Sequence, residues 1–308
     1  MANTDIFVDA RESAPPHSRT GSATRVLRDL VALTKPRITS MVLVTGAAGA
    51  CLAPGHVAVH TLLLSLLGTA LIVGSANALN MWWERESDAH MARTRNRPLP
   101  AGRLSPDVAL GFGLALGAVA APLLFLVNVT TGLLGLVALV SYVAVYTPLK
   151  RHTHFALLVG AVPGAIPPLL GWSTATGHVG LGGLLLFAVL FLWQIPHFAA
   201  IAVFRAQDYA RAGLMVVSVQ KGENAARRTI AMWTVLLVGA SLAFTPAGLA
   251  GRAYLGIAMA LGVGFLALAF RGLRGGRFDV ARWARRVFAY SIPYLCILLV
   301  ALLLDRTT

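Results

Sequence analysis

The residues of this sequence best suited to chemistry are an amide and two carboxylates at four-residue spacing: Asn80, Glu84 and Asp88. On an α-helix such positions lie on one face, so a helix that continues through Asp88 aligns their oxygen atoms in a row. Mg²⁺ prefers hard oxygen ligands and is commonly bound by one or two carboxylates together with phosphate oxygens. We therefore predict a catalytic Mg²⁺ site here. The alternative is a solvated charged loop, but an asparagine inside an apolar helix is costly without a partner.

Two arginines follow this row, again four positions apart: Arg93 and Arg97. A guanidinium group can make bidentate hydrogen bonds with phosphate oxygens. We predict that both arginines bind a diphosphate held by the metal. For the neighbouring Arg85, Arg95 and Arg103, a role as solvated positive charge is at least as well supported.

A second polar group combines an apolar stretch with the loop that follows it. Gln194 and His197 flank Pro196, which should bend the helix, and Asp208 follows in the loop. A histidine in a membrane helix is often only a hydrogen-bonded packing residue. Because this one precedes an acid-containing loop, we favour a functional interpretation, with Asp208 as a further carboxylate facing the metal.

A third group, Tyr146, Lys150 and Arg151, ends another apolar stretch. An interfacial tyrosine and a positive pair on the cytoplasmic side would explain it structurally. The two cations also suit a nearby diphosphate or carboxylate, and both interpretations can hold together.

The elements that position these groups follow from the apolar composition. Of the 308 residues, 57% are hydrophobic and 12% charged, and the mean hydropathy is +0.72, so lipid is the expected solvent. A membrane-spanning helix needs roughly 20 mostly apolar residues. The stretches that qualify are 38–56, 60–83, 107–126, 131–148, 155–173, 180–203, 229–249, 253–270 and 287–304. We predict an all-α polytopic membrane protein of nine transmembrane helices, with one domain over 38–308 after a mobile cytoplasmic tail over 1–37.

Positive charge is distributed unequally between alternate loops. The formal net charge is +14, and every lysine and arginine except Arg252 and Arg306 falls on the side of the N-terminus in the nine-helix arrangement. Lysine and arginine accumulate in cytoplasmic loops. We therefore place the N-terminus and the active site on the cytoplasmic side of the inner membrane. Nucleic-acid binding is not predicted, because the charge lies in short gaps between apolar stretches.

These groups resemble the motifs of a known family. The chain after the tail is similar to the UbiA-type intramembrane prenyltransferases, and the segments that carry this resemblance are 33–38, 80–98, 146–151 and 171–172. The segments 193–198 and 204–209 resemble those of the members whose acceptor is haem. Relatives with quinone-type acceptors are not expected to share these last two segments.

The resemblance implies nine helices around a central cavity with a cytoplasmic active site. It implies transfer of the farnesyl group of farnesyl diphosphate to the 2-vinyl group of haem B, with addition of water, giving haem O for haem–copper terminal oxidases. Mg²⁺ would be the cofactor, and a haem A synthase or another oxidase-assembly protein would be a partner. The resemblance implies Arg93, Arg97 and Lys221 at the diphosphate and His197 at the haem. To these we add Lys150 and Arg151 at the diphosphate, and Gln194 and Tyr146 at the haem.

Two other functions stay open at this point. One is a prenyltransferase of the same family with an aromatic, quinone-precursor acceptor, which the segment 193–198 disfavours. The other is a transporter, whose polar residues would line a route through the midplane of the membrane. The acids of this sequence cluster at one rim instead, which favours the enzyme.

Overall fold

The computed structural model describes residues 23–91, 94–211, 213–274 and 279–307. Over these residues the fold is all-α, as predicted. The helices are α1 (Ala23–Leu33), α2 (Pro36–Leu52), α3 (Val59–Ala89), α4 (Pro106–Val127), α5 (Val129–Val140), α6 (Thr147–Leu149), α7 (Ala156–Thr176), α8 (Leu181–Phe204), α9 (Ala206–Arg211), α10 (Val217–Gln220), α11 (Gly222–Leu242), α12 (Arg252–Arg271) and α13 (Val280–Leu304). A π-helical segment, Ser141–Tyr146, joins α5 to α6 in one continuous rod, Val129–Leu149.

Local sequence signals begin and end several of these helices. Pro36 lies in the first turn of α2, where its missing N–H would have no helical partner. The side chains of Ser105 and Asn128 accept hydrogen bonds from the first turns of α4 and α5, at 3.3 and 2.8 Å. α7 ends at Gly177, whose φ of 74° glycine adopts without steric cost. These signals fix helix ends that the apolar pattern alone leaves approximate.

Seven helices in the described part of the chain are long and apolar enough to cross a membrane. They are α3, α4, the rod Val129–Leu149, α7, α8, α12 and α13. α2 is apolar but shorter, and α11 begins in charged sequence. A helix lies over most of each of the predicted apolar stretches. The ends of two predictions were wrong: the segment predicted as 229–249 is helical over Gly222–Leu242, and the helix predicted as 287–304 begins at Val280.

Small residues bring α2 and α7 into backbone contact. A methyl group on Gly49 would collide with the carbonyl oxygen of Pro168, and one on Gly171 would collide with the carbonyl oxygen of Gly46. Such close approach is how membrane helices gain packing contacts where lipid offers no hydrophobic driving force. The contact fixes the position of α2, and with it the position of Lys35, which directly precedes this helix.

α8 is the central helix of the C-terminal half. It packs against α7, α11 and α13. Buried side chains of these helices, among them Leu190, Leu237 and Tyr294, form the largest apolar core. The indole Nε1 of Trp193 on α8 donates a hydrogen bond to the carbonyl of Ser291 on α13 at 2.6 Å. Gln194 and His197, the two helical residues of the second polar group, are buried on the same helix.

The charged connections meet at one end of the bundle. The backbone N–H of Met215 donates to the carbonyl of Lys150 at 3.0 Å, which joins the loop after α9 to the loop after α6. Asp29 on α1 pairs with Arg103, in the loop after α3, at 3.2 Å, and Leu33 is fully buried. α1 is thus attached to the bundle, although it falls within the segment predicted as a tail. The part of that segment before residue 23 lies outside the described residues.

Candidate active site

The row of oxygen ligands lies on one helix. α3 continues to Ala89, as the four-residue spacing requires, and so carries Asn80, Glu84 and Asp88 on its last turns. Asn80 is 2% exposed and Asp88 1% exposed, while Glu84 is partly buried. Buried carboxylates need compensation by opposite charge or hydrogen bonds. The surroundings of this row therefore decide what it can do.

Each carboxylate of the row forms an ion pair with a basic side chain. Lys150 Nζ lies 2.7 Å from Glu84 Oε1, and Arg97 Nη1 lies 2.6 Å from Asp88 Oδ2. The hydroxyl of Thr94 also donates to the Asp88 carbonyl at 2.8 Å, which holds the loop after α3 against the end of the helix. The predicted proximity of Arg97 and Lys150 to the acidic row is thus present in the structure.

Hydrogen bonds orient the amide of Asn80. Its Nδ2 donates to Glu84 Oε2 and to Thr147 Oγ1, both at 3.0 Å, so its Oδ1 is directed to the other side. Thr147 is buried, and its hydroxyl donates to the carbonyl of Tyr142 at 2.8 Å. The π-helical segment supplies that carbonyl, and π-helical turns often occur at functional sites. Thr147 was not among the predicted site residues.

Lys35, which precedes α2, is a second residue that sequence reasoning assigned no role. Its Nζ donates to Asn80 Oδ1 at 3.3 Å, and its φ of 50° places a non-glycine residue in the left-handed region. Burial lowers the pKa of Lys35 to about 7, and the charges of Arg97 and Lys150 act in the same direction. The signal that could have found it is a lysine directly before a helix-initiating proline.

Lys150 differs from Lys35 in its electrostatic surroundings. Burial alone would lower the pKa of Lys150, but Tyr146 and Glu84 raise it above its ordinary value. Its Nζ also lies 4.5 Å from the centre of the Tyr146 ring, in a cation–π contact. Lys150 therefore stays a permanent cation beside the row.

The residues of this cluster fit a Mg²⁺–diphosphate pair. No three His, Cys, Asp or Glu side chains within the described ranges form a metal site by themselves. Mg²⁺ does not require this, since it is commonly bound by one or two carboxylates, substrate phosphates and water. Asn80, Glu84 and Asp88 offer hard oxygen donors, and the cations around them offer partners for phosphate oxygens. Binding of the pair requires that Lys150 and Arg97 exchange carboxylate oxygens for phosphate oxygens.

Asp208 lies near the end of α3 but in different surroundings. Its side chain is 34% exposed, and its Oδ2 pairs with Nη1 of Arg205 at 3.2 Å. Asp208 lines a cavity of about 250 Å³ together with Met91, which follows the end of α3, and Phe288 of α13. The structure therefore brings the second loop beside the first motif without direct contact between Asp208 and the row.

Gln194 and His197 are turned into the helix packing. The amide Nε2 of Gln194 donates to the carbonyl oxygens of Ala161 and Leu190, both at 3.1 Å. His197 is buried, its Nδ1 lies 2.7 Å from Ser291 Oγ, and its ring stacks on Trp193 with centroids 4.5 Å apart. These contacts explain why α8 tolerates both polar groups, and their assignment to a haem stays a prediction.

The other predicted residues lie around this end of the bundle. Tyr146 and Lys150 line a cavity of about 100 Å³ with Phe198 of α8. Arg151 and Lys221 are exposed, and Lys221 Nζ lies 5.6 Å from the centre of the Phe155 ring. Arg93 lies outside the described residues, so the structure does not place it.

Acids aligned on one helix and cations from other segments lie together at one end of an apolar helical bundle. The chain belongs to the UbiA prenyltransferase family, whose model matches residues 42–303. A relative from Anaeromyxobacter sp. (strain Fw109-5), named Protoheme IX farnesyltransferase, is 52% identical over 284 residues. The match covers 92% of this chain and 95% of the relative. The resemblance to the family and to its haem-using members is thereby confirmed.

Solved structures share the fold. That of a digeranylgeranylglyceryl phosphate synthase has a TM-score of 0.79 at 15% sequence identity, covering 91% of this chain and 98% of the other. A UbiA homolog from Archaeoglobus fulgidus, bound to GPP and Mg²⁺, has a TM-score of 0.61 at 15% identity, covering 89% of this chain and 99% of the other. At these identities the likeness establishes the fold alone.

Proposed function

We propose that this chain transfers the farnesyl group of farnesyl diphosphate to the 2-vinyl group of haem B, with addition of water, giving haem O and diphosphate. The product serves haem–copper terminal oxidases. The 52% identical relative is named for farnesyl transfer to protohaem IX. One structural observation carries the proposal: two carboxylates, the buried Asp88 and the partly buried Glu84, each lie beside a cation at one end of an apolar bundle.

The cations of the site stabilise the leaving group. A diphosphate departs from an allylic carbon only if the negative charge it gains is neutralised, and positioned charges in a water-poor site do this with little reorganisation. Arg97, Lys150 and Lys35 surround the row from three segments of the chain. We assign them to the phosphate oxygens, together with Arg93, Arg151 and Lys221.

Asn80, Glu84 and Asp88 are assigned to Mg²⁺, with Asp208 as a further carboxylate near the same end. When bound, the metal ion supplies Lewis-acid stabilisation of the diphosphate. The solved Archaeoglobus fulgidus homolog of the same fold is described as bound to GPP and Mg²⁺, which supports this assignment. Thr147 holds the Asn80 amide so that its oxygen is directed away from Glu84 and toward Lys35, which would have to release it to the metal ion.

The acceptor step needs an apolar chamber. The allylic C–O bond breaks and its electron pair leaves with the diphosphate. The vinyl group of haem B supplies the electrons of the new carbon–carbon bond, which leaves a cation on the carbon next to the pyrrole ring. Water adds to this carbon and loses a proton, giving the hydroxyl group. The bundle must keep water from the first cation until the vinyl group has reacted.

We infer that the chain spans the inner membrane nine times with its N-terminus in the cytoplasm. The distribution of lysine and arginine supports this orientation, since only Arg252 and Arg306 fall on the opposite side. α2 and α11 would be the two spans beyond the seven long apolar helices. The active site then faces the cytoplasm, where farnesyl diphosphate is available. An oxidase-assembly protein or haem A synthase would receive the product.

The proposal is tested by product analysis of the purified full-length protein in lipid nanodiscs. Haem B, farnesyl diphosphate and Mg²⁺ are supplied, and extracted haem is analysed by mass spectrometry. We expect the mass of haem O, and no product when EDTA removes the metal. Unchanged haem B together with prenylation of a quinone precursor would establish the rival acceptor.

A further inference from the structure

We propose that Arg285 and Arg205 bind the propionate carboxylates of the haem acceptor in a cavity between the end of α8 and the start of α13. This inference rests on the proposed function, since it assigns a binding site to the acceptor of that reaction. Neither arginine was among the predicted site residues.

The proposed haem site consists of two adjacent cavities. The larger, of about 590 Å³, is lined by Phe204, Arg205, Asp208, Ala281 and Arg285 among others. The smaller, of about 250 Å³, shares the first three of these residues and extends to Met91 and Phe288. Sites for ligands the size of a cofactor typically have volumes of about 300–1,000 Å³ and are mostly apolar with a few polar groups. Because they share three residues the two cavities are adjacent, and Arg285 lines only the larger while Met91 and Phe288 line only the smaller.

The charge is concentrated on Arg285. Arg205 is already paired with Asp208 at 3.2 Å, whereas Arg285 has no carboxylate partner among the described residues. The Arg285 guanidinium lies 5.8 Å from the centre of the Phe204 ring, which holds it at the cavity wall. The nearby Arg282 differs, because it pairs with Asp279 at 3.3 Å. An arginine held against an aromatic ring without an acid is suited to a carboxylate supplied by a ligand.

The position of the cavity matches the geometry of the reaction. Haem B carries its two propionates on one side of the porphyrin and its vinyl groups toward the other. With carboxylates at Arg285, the flat apolar ring would lie along Phe204 and Phe288. The vinyl edge would then point to Met91, which follows Asp88 by one short turn. The site thus directs the reacting group toward the metal–diphosphate end.

The test compares two neighbouring arginines in the full-length protein in nanodiscs. Arg285→Gln removes the proposed contact, and Arg286→Gln removes a neighbouring exposed charge that does not line the cavity. We expect Arg285→Gln to raise the KM for haem B about tenfold, as loss of one charged hydrogen bond does, with the KM for farnesyl diphosphate within about twofold. Arg286→Gln should match the wild type, and Arg285→Lys should recover most of the affinity.

A second experiment uses a modified acceptor, haem B dimethyl ester. In this ester the propionates are uncharged. We expect the wild type to use the ester with a raised KM, and Arg285→Gln to show a smaller difference between ester and acid, because only Arg205 remains to bind a propionate. Equal KM values of wild type and Arg285→Gln for haem B would overturn the inference, as would an effect of Arg285→Gln that appears only in nanodiscs with anionic lipid. Failure of the wild type to form haem O would instead refute the proposed function.

Discussion

Asp88 and Asp208 are both acids near the same end of the bundle, but their surroundings differ. Asp88 is 1% exposed and pairs with Arg97, nine positions later, at 2.6 Å. The Asp208 side chain is 34% exposed and pairs with Arg205, three positions earlier, at 3.2 Å. Exposed pairs are weakened by solvent and salt, whereas buried charges interact strongly and depend on their partners.

The first motif, around Asp88, is held by contacts between distant segments, whereas the second, around Asp208, is held by a local ion pair. The first motif gathers partners from distant segments, since Asn80 alone is bonded to Lys35 and Thr147. Such a network holds charges in place before the substrate arrives, which is the condition for electrostatic catalysis. The second motif contributes an adjustable carboxylate and a cavity. We therefore expect substitutions in the first motif to reduce the chemical step most.

The largest effect is expected for Asp88→Asn. This variant removes a buried charge assigned to the metal and leaves Arg97 without its partner, so kcat should fall by about 10²–10³-fold, as for loss of one preorganised electrostatic group. Haem O formation is measured by chromatography of extracted haem. The control is Glu86→Gln, on the same helix with a 79% exposed side chain, which should retain wild-type activity. Equal losses in both variants would contradict the assignment.

A smaller effect is expected for Thr147→Val, which keeps the shape of the side chain but removes the hydroxyl. The Asn80 amide then loses one of the partners that orient it, and we expect a loss of about tenfold in kcat with a raised Mg²⁺ requirement. Thr147→Ser restores a hydroxyl and should recover most activity. If valine and serine behave alike, the hydroxyl does not position Asn80.

The smallest effect is expected for Asp208→Asn. Because this acid is partly exposed and paired locally, its removal should lower kcat only about three- to tenfold, within the range of a weakened surface interaction and one lost ligand. The same assay of haem O measures it. A loss as large as that of Asp88→Asn would show that Asp208 contributes to the chemical step as much as Asp88 does, and would contradict the difference between the two acids.

The sequence predicted what depends on local periodicity. The row Asn80, Glu84 and Asp88 follows from helical spacing, and α3 carries it through Ala89. Lys35 and Thr147 were missed because their contacts join segments 45 and 67 positions apart, and no local pattern encodes such pairing. His197 was correctly placed on a helix, but its packing against Ser291 depends on how α8 and α13 meet.

The ends of α11 show a second limit of the sequence. Its first turns contain Glu223, Arg227 and Arg228, which an apolar criterion excludes from the helix. The backbone hydrogen bonds of the helix nevertheless begin at Gly222, before the apolar stretch starts. Glu223 and Arg227 form an ion pair on successive turns, which further supports this extension. Hydropathy predicts the apolar part of a helix and leaves its full length undetermined.

The central claim is that Asn80, Glu84 and Asp88 bind a metal–diphosphate pair. It is tested most directly by calorimetric titration of the purified protein with a non-hydrolysable thio analogue of farnesyl diphosphate, with Mg²⁺ or with EDTA. We predict binding that requires Mg²⁺ in the wild type and is weakened at least about tenfold in Glu84→Gln, whose side chain keeps its size but loses its charge. Equally tight binding with EDTA, or an unchanged affinity in Glu84→Gln, would contradict the account.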